Sequence, residues 1–174
     1  MSVQLAEPTV IDKAMSEGGV KEITSIDYGK ALEEAKKILE SLKDFDANLA
    51  EFESPAPVVV ARLSKAIVYV VVLPPGYILT GTVALKIIES LLPYLEKIKE
   101  AGKRPVLLFF SKKGKLTLAC YLYLGSVIEN YDVGVLFVNG ERDEILEILW
   151  HLENVGKYEA PEDEIVDLKR LNEQ

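Results

Sequence analysis

The sequence predicts a mixed α/β domain of the α+β kind, with a central, mostly antiparallel five-stranded sheet in the order α-ββ-α-βββ-α. Three observations carry this prediction. Apolar residues recur at helical spacing in three separate stretches, Val/Ile-rich runs of strand length lie between them, and Pro or Gly clusters punctuate the joins. With 174 residues, 49% hydrophobic and 28% charged, the chain is long enough for one core and short for two. The expected organisation is an N-terminal arm over 1–26, a single α/β domain over 27–155 and an acidic C-terminal tail over 156–174.

Within the arm, the Gly18-Gly19 break precedes a short candidate strand at Val20 to Ile23. From Asp27 onward, Tyr28, Ala31, Leu32, Ala35, Ile38, Leu39 and Leu42 line one helical face, and Glu33 stands four before Lys37 in the favourable orientation. Residues 44–56 lead into Pro55 and Pro57 and read as a linker. Val58 to Leu63 and Ala66 to Leu73 then read as antiparallel strands joined by Ser64-Lys65. Both are apolar at nearly every position, so their sheet should be covered on both faces. Pro74-Pro75-Gly76 ends the second strand, and Thr80 or Thr82 is placed to cap the next helix. That helix should run to about Ala101, with Ala84, Ile88, Leu91, Leu95 and Ile98 inward, a kink at Pro93 and a stop at Gly102.

The stretch from Pro105 to Ser126 decides the fold. As strands, Val106 to Phe110 and Lys115 to Leu124 form a hairpin around Lys112-Lys113-Gly114, and Leu116, Leu118, Cys120, Leu122 and Leu124 alternate with Thr117, Ala119, Tyr121 and Tyr123. The alternative is a helix from Leu116 to Tyr131, which gives successive β-α units of a Rossmann-like parallel three-layer fold. It places Gly125 in mid-helix at about 1 kcal/mol, so the hairpin is preferred. Asp132 to Val138 follows as a strand, Asn139-Gly140 as a turn, and Glu141 to Val155 as a closing helix with Ile145, Ile148, Leu149 and Leu152 inward. Glu141, Asp143 and Glu144 suit the positive end of that helix. The tail has room for a short helix over 162–171, and no internal repeat stands out. In element order the chain is similar to roadblock/LC7 domains. That resemblance, carried by order and by no residue motif, implies an antiparallel five-stranded sheet and dimerisation.

One cysteine, Cys120, excludes an internal disulfide and a cysteine-clustered zinc site. No basic start followed by an apolar core is present, and no run is long enough to span a bilayer, so a cytoplasmic protein without membrane contact is expected. Charged residues are dominated by 16 Lys and 20 Glu against five Asn and two Gln, the composition of heat-adapted proteins. The net charge of −8 is unevenly spread: −6 over 1–56, +7 over 57–125 and −9 over 126–174. A basic middle between acidic ends either forms an anion-binding face or is neutralised by the ends folding back.

Residues able to do acid-base or nucleophilic chemistry are few. His151, the only histidine, sits late in the last helix beside Trp150 and one turn beyond Glu147, and Cys120 falls among leucines as a buried thiol. The loop Gly76 to Thr82 has glycines five apart, as in a phosphate-binding loop, but Thr82 and Val83 stand where lysine and a hydroxyl are required. A metal-dependent nuclease needs carboxylates on adjacent strands, and none occurs between Val58 and Leu73 or between Val106 and Leu124. No catalytic, cofactor-binding or metal-ligating residue is therefore assigned, and no cofactor is expected.

The leading expectation is a non-enzymatic interaction or scaffold domain that forms a homodimer or meets a protein partner through Leu146, Trp150, Tyr121 and Tyr123. The second is a nucleic-acid or nucleotide-binding protein that uses Arg62, Lys65, Lys103, Arg104, Lys112, Lys113 and Lys115, with Tyr121 and Tyr123 as an aromatic platform. A small enzyme is third.

Overall fold

The computed structural model describes residues 5–6 and 26–155. The elements are β1 Leu5–Ala6, α1 Tyr28–Ser41, β2 Asp46–Leu49, β3 Val58–Arg62, β4 Ala66–Val72, β5 Ile78–Leu79, α2 Gly81–Glu100, β6 Arg104–Phe110, β7 Lys115–Thr117, α3 Leu118–Tyr131, β8 Gly134–Val138 and α4 Asp143–Asn154. The expected strand at Val20 to Ile23 and the helix over 162–171 fall outside the described residues.

α1 begins where Asp27 accepts a hydrogen bond from the Lys30 amide, and it buries Ala31, Ala35 and Ile38 as the apolar stripe requires. Lys37 pairs with Glu34 at 3.8 Å. The Ser64-Lys65 hairpin forms as expected, with Val60 opposite Tyr69 and Arg62 opposite Ile67. The linker reading of 44–56 is corrected, because Asp46–Leu49 pairs antiparallel with β3, Asp46 facing Arg62. It is an outer strand with alternately exposed side chains, and Asp and Asn occupy half of it, so its composition argues against a strand.

β4, β6 and β8 run parallel, with Val71 beside Phe109 and Phe109 beside Phe137. The expected 106–110/115–124 hairpin is therefore absent. β6 instead continues through β7 into the helix α3, as the Rossmann-like alternative had it. Parallel neighbours need a crossover, and α3 is the crossover from β6 to β8 as α2 is from β4 to β6. The helix is secured at its start by Thr117, which accepts from the Cys120 amide at 3.1 Å, and Ser126 inside it donates to the Tyr123 carbonyl at 2.7 Å. The main sheet, ordered β2-β3-β4-β6-β8, has two antiparallel and two parallel pairings. "Mostly antiparallel" is corrected to mixed, and the elements around this sheet run α-βββ-α-β-α-β-α in place of the roadblock-like order. The count of five strands survives by exchange, β2 entering as 115–124 leaves.

β4, β6 and β8 are buried at almost every position, so both faces of the sheet are covered. α2 and α3 lie together on one face, Gly81 of α2 against Ala119 and Cys120 of α3, as two right-handed crossovers in succession require. α1 and α4 cover the other, joined where Arg142 at the start of α4 meets Glu34 of α1 at 3.5 Å. α2 ends as expected: Gly102 is left-handed at φ 79°, and the Lys103 amide donates back to the Ile98 carbonyl. Pro93 is exposed, so the Glu89 carbonyl deprived of its helical donor lies on the solvent side.

Candidate functional site

In an α/β sheet the ligand crevice lies outside the carboxyl ends of the parallel strands. Here those ends carry Pro74-Pro75-Gly76 after β4, Ser111-Lys112-Lys113-Gly114 after β6 and Asn139-Gly140 after β8. The first two connections have the same construction. Each turns through a left-handed residue (Gly76 at φ 71°, Lys113 at φ 61°), continues into a short strand, and ends on a fully buried threonine that caps a helix. The two short strands pair with each other, Ile78 beside Lys115 and Leu79 beside Leu116, and β1 adds to the far side of β7. Residues 73–80 and 110–117 are thus structurally equivalent, a repeat that sequence inspection missed because only the Leu-Thr pairs 79–80 and 116–117 are shared.

Ser111 locks the two loops together. Buried completely, its hydroxyl accepts from the Tyr77 amide at 3.1 Å and donates to the Pro74 carbonyl at 2.7 Å, while the Gly76 amide donates to the Lys112 carbonyl. Gly114 packs so closely that a Cβ would stand 2.4 Å from the Ser111 hydroxyl. On the other side the Lys113 amide donates to the Asn139 carbonyl and the Asn139 side chain to the Gly114 carbonyl, at 3.1 Å for the latter. Lys113 is therefore held rigidly in a conformation that costs a non-glycine residue roughly 1 kcal/mol.

Between these loops and α1 lies a cleft of about 700 Å³, lined by Lys30, Glu33, Glu34, Lys37, Pro75, Gly76, Lys112 and Lys113. Glu34 is buried and compensated by Arg142 and Lys37, and Lys112 reaches Glu141 at 3.2 Å. Among the described residues Lys30 and Lys113 have no acidic partner.

The predicted basic set divides. Lys112, Lys113 and Lys115 lie at the carboxyl end of β6, and Arg62, Lys65, Lys103 and Arg104 at its opposite end, roughly 20 Å away for a seven-residue strand. Three of the second group are engaged structurally, and Lys65 is exposed in the β3–β4 turn. Arg62 bonds Asn48 and lies 3.8 Å from Asp46, Lys103 donates to the Leu63 carbonyl, and Arg104 is half-buried, its pKa lowered by desolvation against the opposing charge of Asp132. One continuous basic face is not formed.

The tyrosines also divide. Two residues apart on a strand they would share a face, but on the helix α3 they diverge. Tyr123 packs against the core, its pKa pushed up to about 12 chiefly by burial, with Tyr131, Glu89 and Cys120 adding to the rise, and Tyr121 is half-buried. Leu146 is partly buried against the core, and Trp150 is 53% exposed with its ring edge-to-face on His151. Leu146 and Trp150 sit on α4, across the sheet from Tyr121 and Tyr123, so the four candidate interface residues do not form one patch.

Cys120 is buried completely. His151 lies 4.0 Å from Glu147, one turn before it on α4. In the Gly76–Thr82 loop, Thr80 is the residue that caps α2, accepting from the Val83 amide, and Gly81 lies against Ala119 and Cys120 of α3. No carboxylate occurs in β3, β4, β6 or β8, and among the described residues no cluster of three or more His, Cys, Asp or Glu side chains is arranged to hold a metal. No helix among them is long and apolar enough to cross a membrane.

Tyr77 supplies a pH test of this packing. Burial, with Cys120 next in effect, raises its pKa from 10.0 to about 12. The folded state holds the phenolic proton more tightly than the unfolded chain does, so this contribution is intact below pH 10 and is lost as pH rises towards 12. The thermal midpoint is expected to fall across that window, and the fall should be shallower in Tyr77→Phe. Equal slopes in both proteins would contradict the assignment.

Fold and cleft together define a class: a three-layer α/β domain with a mixed sheet and a preformed basic cleft at the carboxyl end of its parallel strands. No family model, no curated protein and no solved structure matches the chain.

Proposed function

We propose that the chain is an interaction module that forms a two-fold homodimer through the outer face of α3. One observation carries the reading. α3, Leu118–Tyr131, is apolar around most of its circumference, yet Leu118 and Leu122 are 43% and 63% exposed. A helix apolar on all sides belongs in an interior, and the sheet covers only the side bearing Cys120, Leu124, Val127 and Ile128. Leu85 of α2, 40% exposed, extends the patch, because Gly81 one turn earlier lies against Ala119.

Charge favours a second copy as the occupant. An isologous contact sets each residue's surroundings against themselves, so a charged face would repel its own copy. α3 carries Glu129 as its one charged residue, towards its C-terminal end. The exposed side of α4 around Trp150 instead bears Glu147 and, nearby, Asp143 and Glu153. The same tryptophan that the sequence singles out is therefore the poorer centre for a self-contact. Light scattering at protein concentrations on the order of tens of micromolar tests the reading: twice the 19.3 kDa monomer mass is expected, and a monomer would overturn it.

A further inference from the structure

We propose that the cleft between α1 and the loops after β4 and β6 binds a phosphorylated small molecule, with Lys113 and Lys30 as its main cationic contacts. This is independent of dimerisation, since the cleft involves neither Leu118 nor Leu122.

Two equivalent loops form one wall of the cleft. The path from Leu73 to Thr80 is built with Pro74-Pro75-Gly76, a combination that suits a tight turn ending in a left-handed residue. The path from Phe110 to Thr117 follows the same course with Ser111-Lys112-Lys113. Ser111 has a structural task in joining the loops. Lys113 has none visible: glycine meets the same backbone requirement without strain at position 76, and the lysine side chain makes no ion pair among the described residues. Strained residues of this kind concentrate where the side chain has a use, and this one lines the cleft.

Charge defines the ligand. Four lysines and two glutamates line the space, and Glu34 is already compensated by Arg142 and Lys37. Lys112 is partly satisfied by Glu141, which leaves Lys30 and Lys113 approaching from separate elements. Two such ammonium groups match a compact dianion, and lysine binds phosphate as a point charge. The volume of about 700 Å³ is far larger than one phosphate group needs and is typical of small-molecule pockets, with Pro75 and Gly76 as an uncharged wall for the organic part. Glu33 at the same cleft, and a net charge of −8, oppose a long polyanion.

The test is a thermal-shift and calorimetric titration of the full chain with inorganic pyrophosphate, with ATP and with a single-stranded oligonucleotide. Pyrophosphate or ATP at millimolar concentration should raise the wild-type midpoint, pyrophosphate alone pointing to recognition of the phosphate and ATP alone to a nucleotide. Lys113→Gly should lose at least tenfold in affinity while melting no lower than wild type, because glycine relieves the left-handed backbone. Lys30→Gln, changed on a different element, should also weaken binding about tenfold. The proposal is overturned if neither small probe binds, if binding survives Lys113→Gly unchanged, or if only the oligonucleotide is retained.

Discussion

Replacing Leu122 by glutamate is expected to convert the dimer into a folded monomer. In the isolated chain Leu122 is 63% exposed, so a glutamate there meets water and should change stability by no more than about 0.5 kcal/mol. In a two-fold dimer the same change buries two carboxylates, one from each copy, with no cation on α3 to receive them. An uncompensated buried charge costs about 3–5 kcal/mol, and each 1.4 kcal/mol is tenfold in affinity, so with one from each copy the dissociation constant should rise by about ten-thousandfold or more. Light scattering should report the monomer mass while the circular dichroism spectrum is unchanged. A dimer of undiminished affinity would remove α3 from the interface.

The largest effect on stability is expected at Phe109. It lies in β6, between Val71 of β4 and Phe137 of β8, and is fully buried. Truncation to alanine in such a site costs about 3–5 kcal/mol, part from lost transfer energy and part from the cavity left in a sheet that cannot close over it. For a domain of this size that lowers the thermal midpoint by roughly 10 °C. From the Lys/Glu-rich, Asn/Gln-poor composition the wild-type midpoint is expected above the mesophile range of about 45–65 °C, a thermal melt being the check, and Phe109→Ala should then still fold at room temperature. A loss below about 1 kcal/mol would show that Phe109 is not a central core residue.

Where a segment has one wet and one dry side, the sequence announces it. α4 buries its predicted stripe of Ile145, Ile148, Leu149 and Leu152, and α1 buries Ala31, Ala35, Ile38 and Leu42 of its own, with Leu32 and Leu39 partly covered and Tyr28 exposed at the helix start. The β3–β4 hairpin was legible because β-branched runs flank a two-residue polar turn. α3 was misread because leucine or cysteine at every second position from Leu116 to Leu124 satisfies strand alternation. The helix divides the same residues, Cys120 and Leu124 inward and Leu118 and Leu122 outward, and periodicity cannot choose when both sides are apolar. β2 was missed for the opposite reason, an outer strand rich in Asp and Asn.

Half of the cleft was visible and half was not. Lys112 and Lys113 stand out in the sequence as a basic turn, whereas Lys30 and Lys37 belong to a helix that only the folded sheet brings over the carboxyl ends of β4 and β6. The strain at Lys113 is a property of the loop path, and no residue pattern encodes it beyond a glycine at the equivalent position in another loop. The grouping of basic residues over 57–125 failed because a strand carries its two ends in opposite directions.

Cross-linking at Leu122 asks where two copies of the chain meet. Cys120 is completely buried, so a thiol introduced at the surface reacts without competition from it. Leu122→Cys and Trp150→Cys, treated separately with a short bis-maleimide at a concentration where wild type is associated, place one reactive group on α3 and one on α4. Leu122→Cys should give a covalent dimer and Trp150→Cys only monomer; a covalent dimer from Trp150→Cys alone would place the contact on α4 and overturn the α3 interface.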